Sequence, residues 1–256
     1  MAPPRDGCAT HRDWNSYPLG TLGGAPVPYL EANFASVVSL LSANPYSQTW
    51  YLGLLAKQGK FDDAVQRAEE EVRLDPRSAG QRVASAVYAL PAGQYLTAVR
   101  NAAEARAVLT GAPIIVSQLE LYGRLRLGGQ PRAECGSVPA GPYLGARALC
   151  LEAIGREREG RATSDSLVAM LTGKARMDST FDLALPVGEM ALYAAQHGDR
   201  EAVRQWLRQA FAESPVGIDY RLMRSGMFEP AHVAYADTLR AAAWKRVVAA
   251  ATAGRR

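Results

Sequence analysis

A pattern of small and aromatic residues recurs in this chain at an interval of 34 residues. The recurring set is Gly59, Phe61, Ala64, Val65 and Ala68, which returns as Gly93, Tyr95, Ala98, Val99 and Ala102. This interval is typical of a helix-turn-helix repeat unit, which stacks on its neighbours to bury a shared core. The period therefore predicts an all-α fold built from repeated helix pairs.

The first unit shows how the pattern encodes two helices and a turn. Gly59 lies where the first helix is expected to stop, because glycine accepts the left-handed conformation that ends many helices. Asp62 is the predicted N-cap residue of the second helix, and Pro76 closes the unit because proline cannot continue a helix. Ala64 and Ala68 share one helical face, where small side chains allow a close approach of two helices.

Further helices are predicted beyond these two units. Residues 144–170 are interpreted as a helix pair, and a last pair is expected around a turn at Gly198. Residues 114–127 are predicted to form a helix whose partner, near Ala133, is poorly formed. A closing helix is expected from about Ala231 onwards, where it would cover the last repeat.

Changes in composition divide the chain into three parts. Residues 1–28 are rich in proline and glycine and are interpreted as a tail or linker. Residues 29–215 carry the repeats, which are degenerate near 128–142. Residues 216–256 are predicted to form a connector followed by the capping helix, since a terminal repeat otherwise exposes its apolar face.

The first unit resembles a tetratricopeptide repeat. The residues that carry the resemblance are Trp50, Tyr51, Leu52, Gly53, Gly59, Phe61, Ala64, Ala68 and the ending Leu74-Asp75-Pro76. The spacing departs from the family pattern at Trp50 and Gly53, which lie one residue closer to Gly59 and to each other than in that pattern. The resemblance implies a right-handed α-solenoid of antiparallel helix pairs with a C-terminal capping helix.

The end of the chain has a resemblance of its own. Residues 198–230, with Trp206, Phe211 and Pro215, are similar to the C-terminal repeat region of bacterial multidomain regulators. In those proteins a repeat array follows a serine/threonine kinase or a winged-helix domain. The similarity implies an interaction scaffold or sensory module in bacterial signalling or transcriptional regulation.

The tetratricopeptide resemblance also implies a binding surface. In that family the first helix of each pair lines a concave groove, and carrying this over assigns six partner-binding positions: Thr49, Lys57, Val83, Val87, Leu192 and Gln196. Because only Lys57 among them is charged, we expect a protein or peptide partner held by buried area and a few hydrogen bonds. A clamp for a partner's terminal carboxylate is not expected.

Enzymatic chemistry is not indicated by any motif. The chain lacks the glycine-rich loop and the His-Arg-Asp loop of a kinase, and the stretch 53–60 misses the spacing of a phosphate-binding loop. Its three histidines lie far apart, so no catalytic residues, metal site or cofactor are predicted. The alternatives to a scaffold are an oligomerisation unit that pairs through the C-terminal helix and a helical enzyme with a site on the concave face.

Charge and cysteine content bear on partners and location. The net charge is +4 without a lysine or arginine block, so nucleic acid is not an expected partner, and neither a membrane span nor a signal peptide is visible. Cys135 and Cys150 flank a loop and are either a disulfide or two free thiols. We expect a cytoplasmic location for the chain taken alone, and an extracytoplasmic one if this disulfide forms or a membrane anchor precedes the chain.

Overall fold

The computed structural model describes residues 45–109, 114–129, 144–172, 186–213 and 218–253. These residues form helices and contain no strand, which confirms the all-α prediction for this part of the chain. In order, the helices are α1 (Pro45–Lys57), α2 (Phe61–Leu74), α3 (Ala79–Ala89), α4 (Tyr95–Val108), α5 (Ile114–Arg126), α6 (Leu144–Ala153), α7 (Glu157–Thr172), α8 (Pro186–Gln196), α9 (Arg200–Glu213), α10 (Tyr220–Met223) and α11 (Pro230–Ala253). None of the described helices is both long and apolar enough to cross a membrane.

Five of these helices end in the same kind of turn. Each turn contains a glycine with φ between +70° and +84°: Gly59, Gly93, Gly128, Gly155 and Gly198. The glycine N–H donates to the carbonyl three residues earlier at 2.9–3.2 Å, and the following N–H donates to the carbonyl five residues earlier at 2.9–3.0 Å. These paired bonds satisfy the last carbonyls of the helix, and glycine adopts this φ without strain. The turns predicted at Gly59, Gly93 and Gly198 are confirmed.

After Gly59, Gly93 and Gly155, small residues lie where the second helix meets the first. Fully buried alanines lie five and nine residues after the glycine in α2 and α4: Ala64, Ala68, Ala98 and Ala102. The residue five positions after Gly155 is Gly160, where an added Cβ would lie 2.8 Å from the carbonyl oxygen of Ala148 in α6. The close approach of paired helices therefore depends on small side chains, as the period predicts.

A polar network joins α2, α3 and α4. Ser85 Oγ donates to Glu69 Oε1 at 2.5 Å, and Asn101 Nδ2 donates to Glu69 Oε1 at 2.6 Å and to Ser85 Oγ at 2.9 Å. Ser85 and Asn101 are buried. Because buried polar groups are costly without partners, this network favours one register between the three helices.

Contacts between helices are mostly between neighbours in the chain. They link α1 through α5 in succession and α6 through α9 in succession, and they also join α3 to α5 and α6 to α8. One cluster of buried apolar side chains nevertheless extends from Leu52 in α1 to Ala236 in α11. The C-terminal part is thus packed onto the same core as the first repeats.

The predicted capping helix is present as α11. It packs against α9, and its Val233 and Leu239 contact the core. The predicted boundaries at 28–29 and 215–216, and the helix partner near Ala133, lie outside the described residues.

One local expectation is wrong. Lys60, not Asp62, occupies the N-cap position of α2 and makes no side-chain cap bond, so Asp62 lies in the first turn of the helix. Its carboxylate accepts a 2.8 Å hydrogen bond from Gln94 in the next glycine turn.

Candidate functional site

The candidate site is built around residues 218–228, which we call the connector segment. It includes α10 and the turn after it, and most of its side chains are buried in the core shared with the repeats: Ile218, Tyr220, Leu222, Met223, Met227 and Phe228. Asp219, Arg221 and Ser225 are buried as well. A stretch interpreted from sequence as a connector is therefore an internal part of the fold.

Local interactions explain the shape of the connector segment. Asp219 caps α10, since its Oδ1 accepts the main-chain N–H of Arg221 at 2.7 Å. Ser225 Oγ donates to the carbonyl of Leu222 at 2.6 Å, after α10 ends. Gly226 then takes a φ of +81°, and an added Cβ there would lie 3.0 Å from Tyr95 Oη. This turn brings the backbone directly against α4.

The repeats recognise the connector segment through its main chain. Tyr95 Oη in α4 donates to the carbonyl of Ser225 at 3.1 Å, and Gln196 Nε2 in α8 donates to the carbonyl of Met227 at 2.6 Å. The segment is therefore held by donors from helices that are about 100 residues apart in the chain. Hydrogen bonds to main-chain carbonyls are a common way of holding an extended peptide.

A buried ion pair lies within the segment. Arg221 donates to both carboxylate oxygens of Asp219, at 2.9 Å from Nε and 2.5 Å from an Nη atom. Its guanidinium also lies over the ring of Tyr88 in α3, 5.3 Å from the centroid. Burial opposes the charge of Arg221, but Asp219 outweighs it and raises the pKa of the guanidinium. The pair is held in a site from which water is largely excluded.

Lys57, at the end of α1, faces this segment. Its Nζ lies 4.2 Å from the centre of the Tyr220 ring. Burial, followed by the positive charge of Arg240, lowers the pKa of Lys57 to about 7, although Asp219 acts in the opposite direction. The surroundings of Lys57 therefore disfavour its charged form.

Arg240 of α11 also contacts the connector segment. It donates to the carbonyl of Ile218 at 3.1 Å and to Asp237 at 2.7 Å, and its buried Nε atom has no hydrogen-bond partner among the described residues. Burial lowers the pKa of Arg240, and Arg224 contributes to this shift. Arg224 itself pairs with Asp237 at 2.7 Å.

The structure places the six predicted partner-binding residues in different environments. Lys57 and Gln196 both contact the connector segment. Val87 and Leu192 are buried in the core and Val83 is partly buried against it, while the side chain of Thr49 lies outside the described part. Their role toward a partner stays a prediction, but two of them already bind a segment of this chain.

Three residues of this site are not predicted from the sequence: Tyr88, Arg221 and Arg240. The spacing of Asp219 and Arg221, at the start of a short helix, is compatible with a local ion pair. Arg240, however, meets the connector segment from 22 residues further along the chain. No short sequence motif contains these positions, so their proximity becomes visible only in the folded structure.

A second polar group lies at the ends of α6 and α8. Tyr193 Oη donates to Glu152 Oε1 at 2.6 Å, and His197 Nε2 lies 2.9 Å from the other carboxylate oxygen. His197 Nδ1 is 2.8 Å from the carbonyl of Tyr193, in the last turn of α8. The imidazole therefore lies beside the carbonyl groups that end α8.

Cys150 in α6 is fully buried and disulfide-bonded. The other half of this bond, and with it the predicted pairing with Cys135, lies outside the described residues. A disulfide here is a feature of oxidising compartments.

We compared the chain with protein-family models, curated proteins and solved structures, and none of them matches it. Its function must therefore be argued from the site itself.

Proposed function

We propose that this chain is a non-enzymatic interaction module, a tetratricopeptide-like solenoid that binds a protein or peptide partner on the face now covered by the connector segment. We also propose that the module belongs to a bacterial signalling or transcriptional regulator, because residues 198–230 resemble the C-terminal repeat region of such proteins. The five glycine turns with the same pair of hydrogen bonds, and the small residues that follow three of them, support the repeat assignment.

One observation carries the binding role. Lys57 and Gln196, expected from sequence to hold a partner, instead hold residues 220 and 227 of the same chain. A surface that holds the stretch after α10 through its main-chain carbonyls has the chemistry to bind another peptide in the same way. The connector segment then occupies the face in the absence of a partner.

The test is to loosen the connector segment without changing the face beneath it. In Gly226→Ala the new Cβ meets Tyr95 Oη at 3.0 Å and the Arg126 side chain at 3.2 Å, at a φ that disfavours alanine. The matched control is Gly128→Ala, which has a comparable φ and nothing within 4 Å of the added Cβ. Both variants of the whole chain are immobilised and incubated with lysate of the source cell.

We expect Gly226→Ala to recover several times more of a specific partner than the wild type, and Gly128→Ala to recover the wild-type amount. The measurement is quantitative mass spectrometry of the captured proteins, with circular dichroism to verify that the variants are folded. Equal recovery by the two variants, or no partner in any sample, would contradict the proposal.

A further inference from the structure

A groove runs between α9 and α11, and no other described element covers it. Residues of the two helices line it: Arg208, Phe211, Ala212, Leu239, Ala242 and Arg246. The floor of this groove is apolar, and the two charged residues of its lining are both arginines. None of the six belongs to the connector segment or holds it, so the groove is a second surface of the molecule.

The size of the groove indicates what it can accommodate. Its volume is about 250 Å³, which is below the roughly 300–1,000 Å³ of most small-molecule sites. Ala212 and Ala242 are exposed and Leu239 is only partly buried, so the groove is open to solvent along its length. An opening of this kind suits an apolar side chain of a partner better than an entire small ligand.

A row of arginines leads to the groove along α9. Arg200, Arg204 and Arg208 are four residues apart, so they share one face of the helix, with Cβ atoms about 6 Å apart. Arg200 pairs with Glu229 at 3.1 Å, and the guanidinium of Arg204 lies 5.8 Å from the centre of the Tyr235 ring. Arg208 lines the groove itself. The row therefore follows the line along which α9 and α11 meet.

The positive charge beside the groove is not neutralised within the described part of the chain. Arg204 and Arg208 are exposed and have no ion pair there. Arg246 donates to the main-chain carbonyl of Phe211 at 2.8 Å, which is a neutral acceptor. Three guanidinium groups thus lie along or beside an apolar groove, and no carboxylate lines it.

We propose that this groove binds an acidic amphipathic helix of a partner protein, with an apolar side chain in the groove and carboxylates facing Arg204 and Arg208. Carboxylates four residues apart on a helix have the same spacing as these two arginines, and charge-assisted hydrogen bonds between them are strong. An amphipathic helix laid into an apolar groove is a recurring mode of recognition. This inference does not depend on the partner proposed above.

Other occupants fit the groove less well. A second copy of α11 offers only one carboxylate, Asp237, which already pairs with Arg224 and Arg240, and it would bring Lys245 and Arg246 against the arginines. The phosphate groups of a nucleic acid or a lipid surface match the arginines but leave the apolar floor without a partner. An acidic helix with an apolar stripe satisfies both features.

The probe is a synthetic peptide of about 14 residues, which is as long as α9 when helical. It carries leucine at every third or fourth position and glutamate on both sides of that stripe. Two control peptides have lysine in place of glutamate, or alanine in place of leucine. Fluorescence anisotropy measures binding of each fluorescein-labelled peptide to the full chain. We expect saturable binding of the acidic leucine peptide and at least roughly tenfold weaker binding of each control.

Three variants at exposed positions locate the site. Arg208→Glu reverses a charge at the groove and should weaken binding at least about tenfold, because like charges then face each other. Ala242→Gln places a polar side chain in the groove without a change of charge, and it should weaken binding several-fold. Arg158→Glu makes the same charge reversal on α7 and should bind as the wild type. Circular dichroism verifies that all three variants are folded.

Duplex DNA and phosphatidylglycerol vesicles are tested with the same variants. Tighter binding of either one than of the acidic peptide, lost in Arg208→Glu, would assign the arginine row to phosphate groups and overturn the proposal. Three other results would also overturn it. They are failure of the acidic peptide to bind the wild type, equal binding of the lysine peptide, and equal effects of Arg208→Glu and Arg158→Glu.

Discussion

Residues 61–105 pack through alanines that are fully buried, whereas residues 218–240 bury Asp219, Arg221 and Arg240. The first region derives its close packing from small apolar side chains, and its polar network of Glu69, Ser85 and Asn101 is added to that packing. The second region, which joins the same core, depends on ion pairs and on hydrogen bonds to main-chain carbonyls. The residues that determine one repeat lie within about 34 positions of one another. The side chains of a segment that packs against several repeats must instead fit all of those repeats at once.

The ion pair of the connector segment should give the largest effect. Asp219→Asn removes the carboxylate that accepts two bonds from Arg221, and it leaves a buried guanidinium uncompensated. We expect the free energy of unfolding to fall by about 3–5 kcal/mol, measured by urea denaturation. The control is Glu70→Gln, which breaks a partly exposed pair with Arg67 on the surface of α2 and should cost less than about 1 kcal/mol. Similar losses in the two variants would remove the distinction between the regions.

The packing of paired helices should be the next most sensitive feature. Gly160→Ala places a Cβ 2.8 Å from the Ala148 carbonyl and should lower the free energy of unfolding by about 1–3 kcal/mol, because α7 must move away from α6. Gly80→Ala in α3, whose nearest neighbour would be Ser78 Oγ at 3.9 Å, should instead stabilise by about 0.5–1 kcal/mol. Thermal unfolding of both variants tests this, and a stabilised Gly160→Ala would refute the close-approach argument.

The pH dependence of the free energy of unfolding should show that folding lowers the pKa of Lys57. Its pKa falls from 10.5 to about 7 on folding, so the unfolded chain binds more protons between these values. The free energy of unfolding should therefore rise with pH from about 7 to 10.5, by at most about 1.4 kcal/mol per unit, and this contribution should be constant below pH 7. Lys57→Met should lack this slope. Urea denaturation in buffers free of phosphate and sulfate measures it, and identical slopes would show that Lys57 is not perturbed.

The repeats could be predicted because their determinants are close together in the sequence. A glycine turn needs only the residues on either side of it, and the alanines that follow it lie at fixed helical spacings. Gly59, Gly93 and Gly198 therefore give the positions of three turns directly. The same reasoning located α11, since a long alanine-rich stretch after Pro230 has few other structures available to it.

The site could be predicted only in part. Lys57 and Gln196 were identified because they lie at the ends of first helices, which is a property of the repeat. Arg221 and Arg240 were missed because their burial arises from contacts between α10, α11 and the early repeats, and no period connects these. Composition predicts that arginines lie on the surface, and only the fold shows which ones do not.

Helix caps offer the smallest and most local test of the same contrast. Ser78 lies at the N-cap of α3, where its Oγ accepts the N–H of Gln81, so Ser78→Ala should lower the free energy of unfolding by about 1 kcal/mol. Asp62 was expected to cap α2 but lies in its first turn, so Asp62→Ala should lose only the bond to Gln94 and a favourable dipole interaction, a few tenths of a kcal/mol. Urea denaturation of both variants ranks them. If Asp62→Ala were the more destabilising, the contact between successive glycine turns would matter more than helix capping, and the repeats too would depend on interactions that their period does not contain.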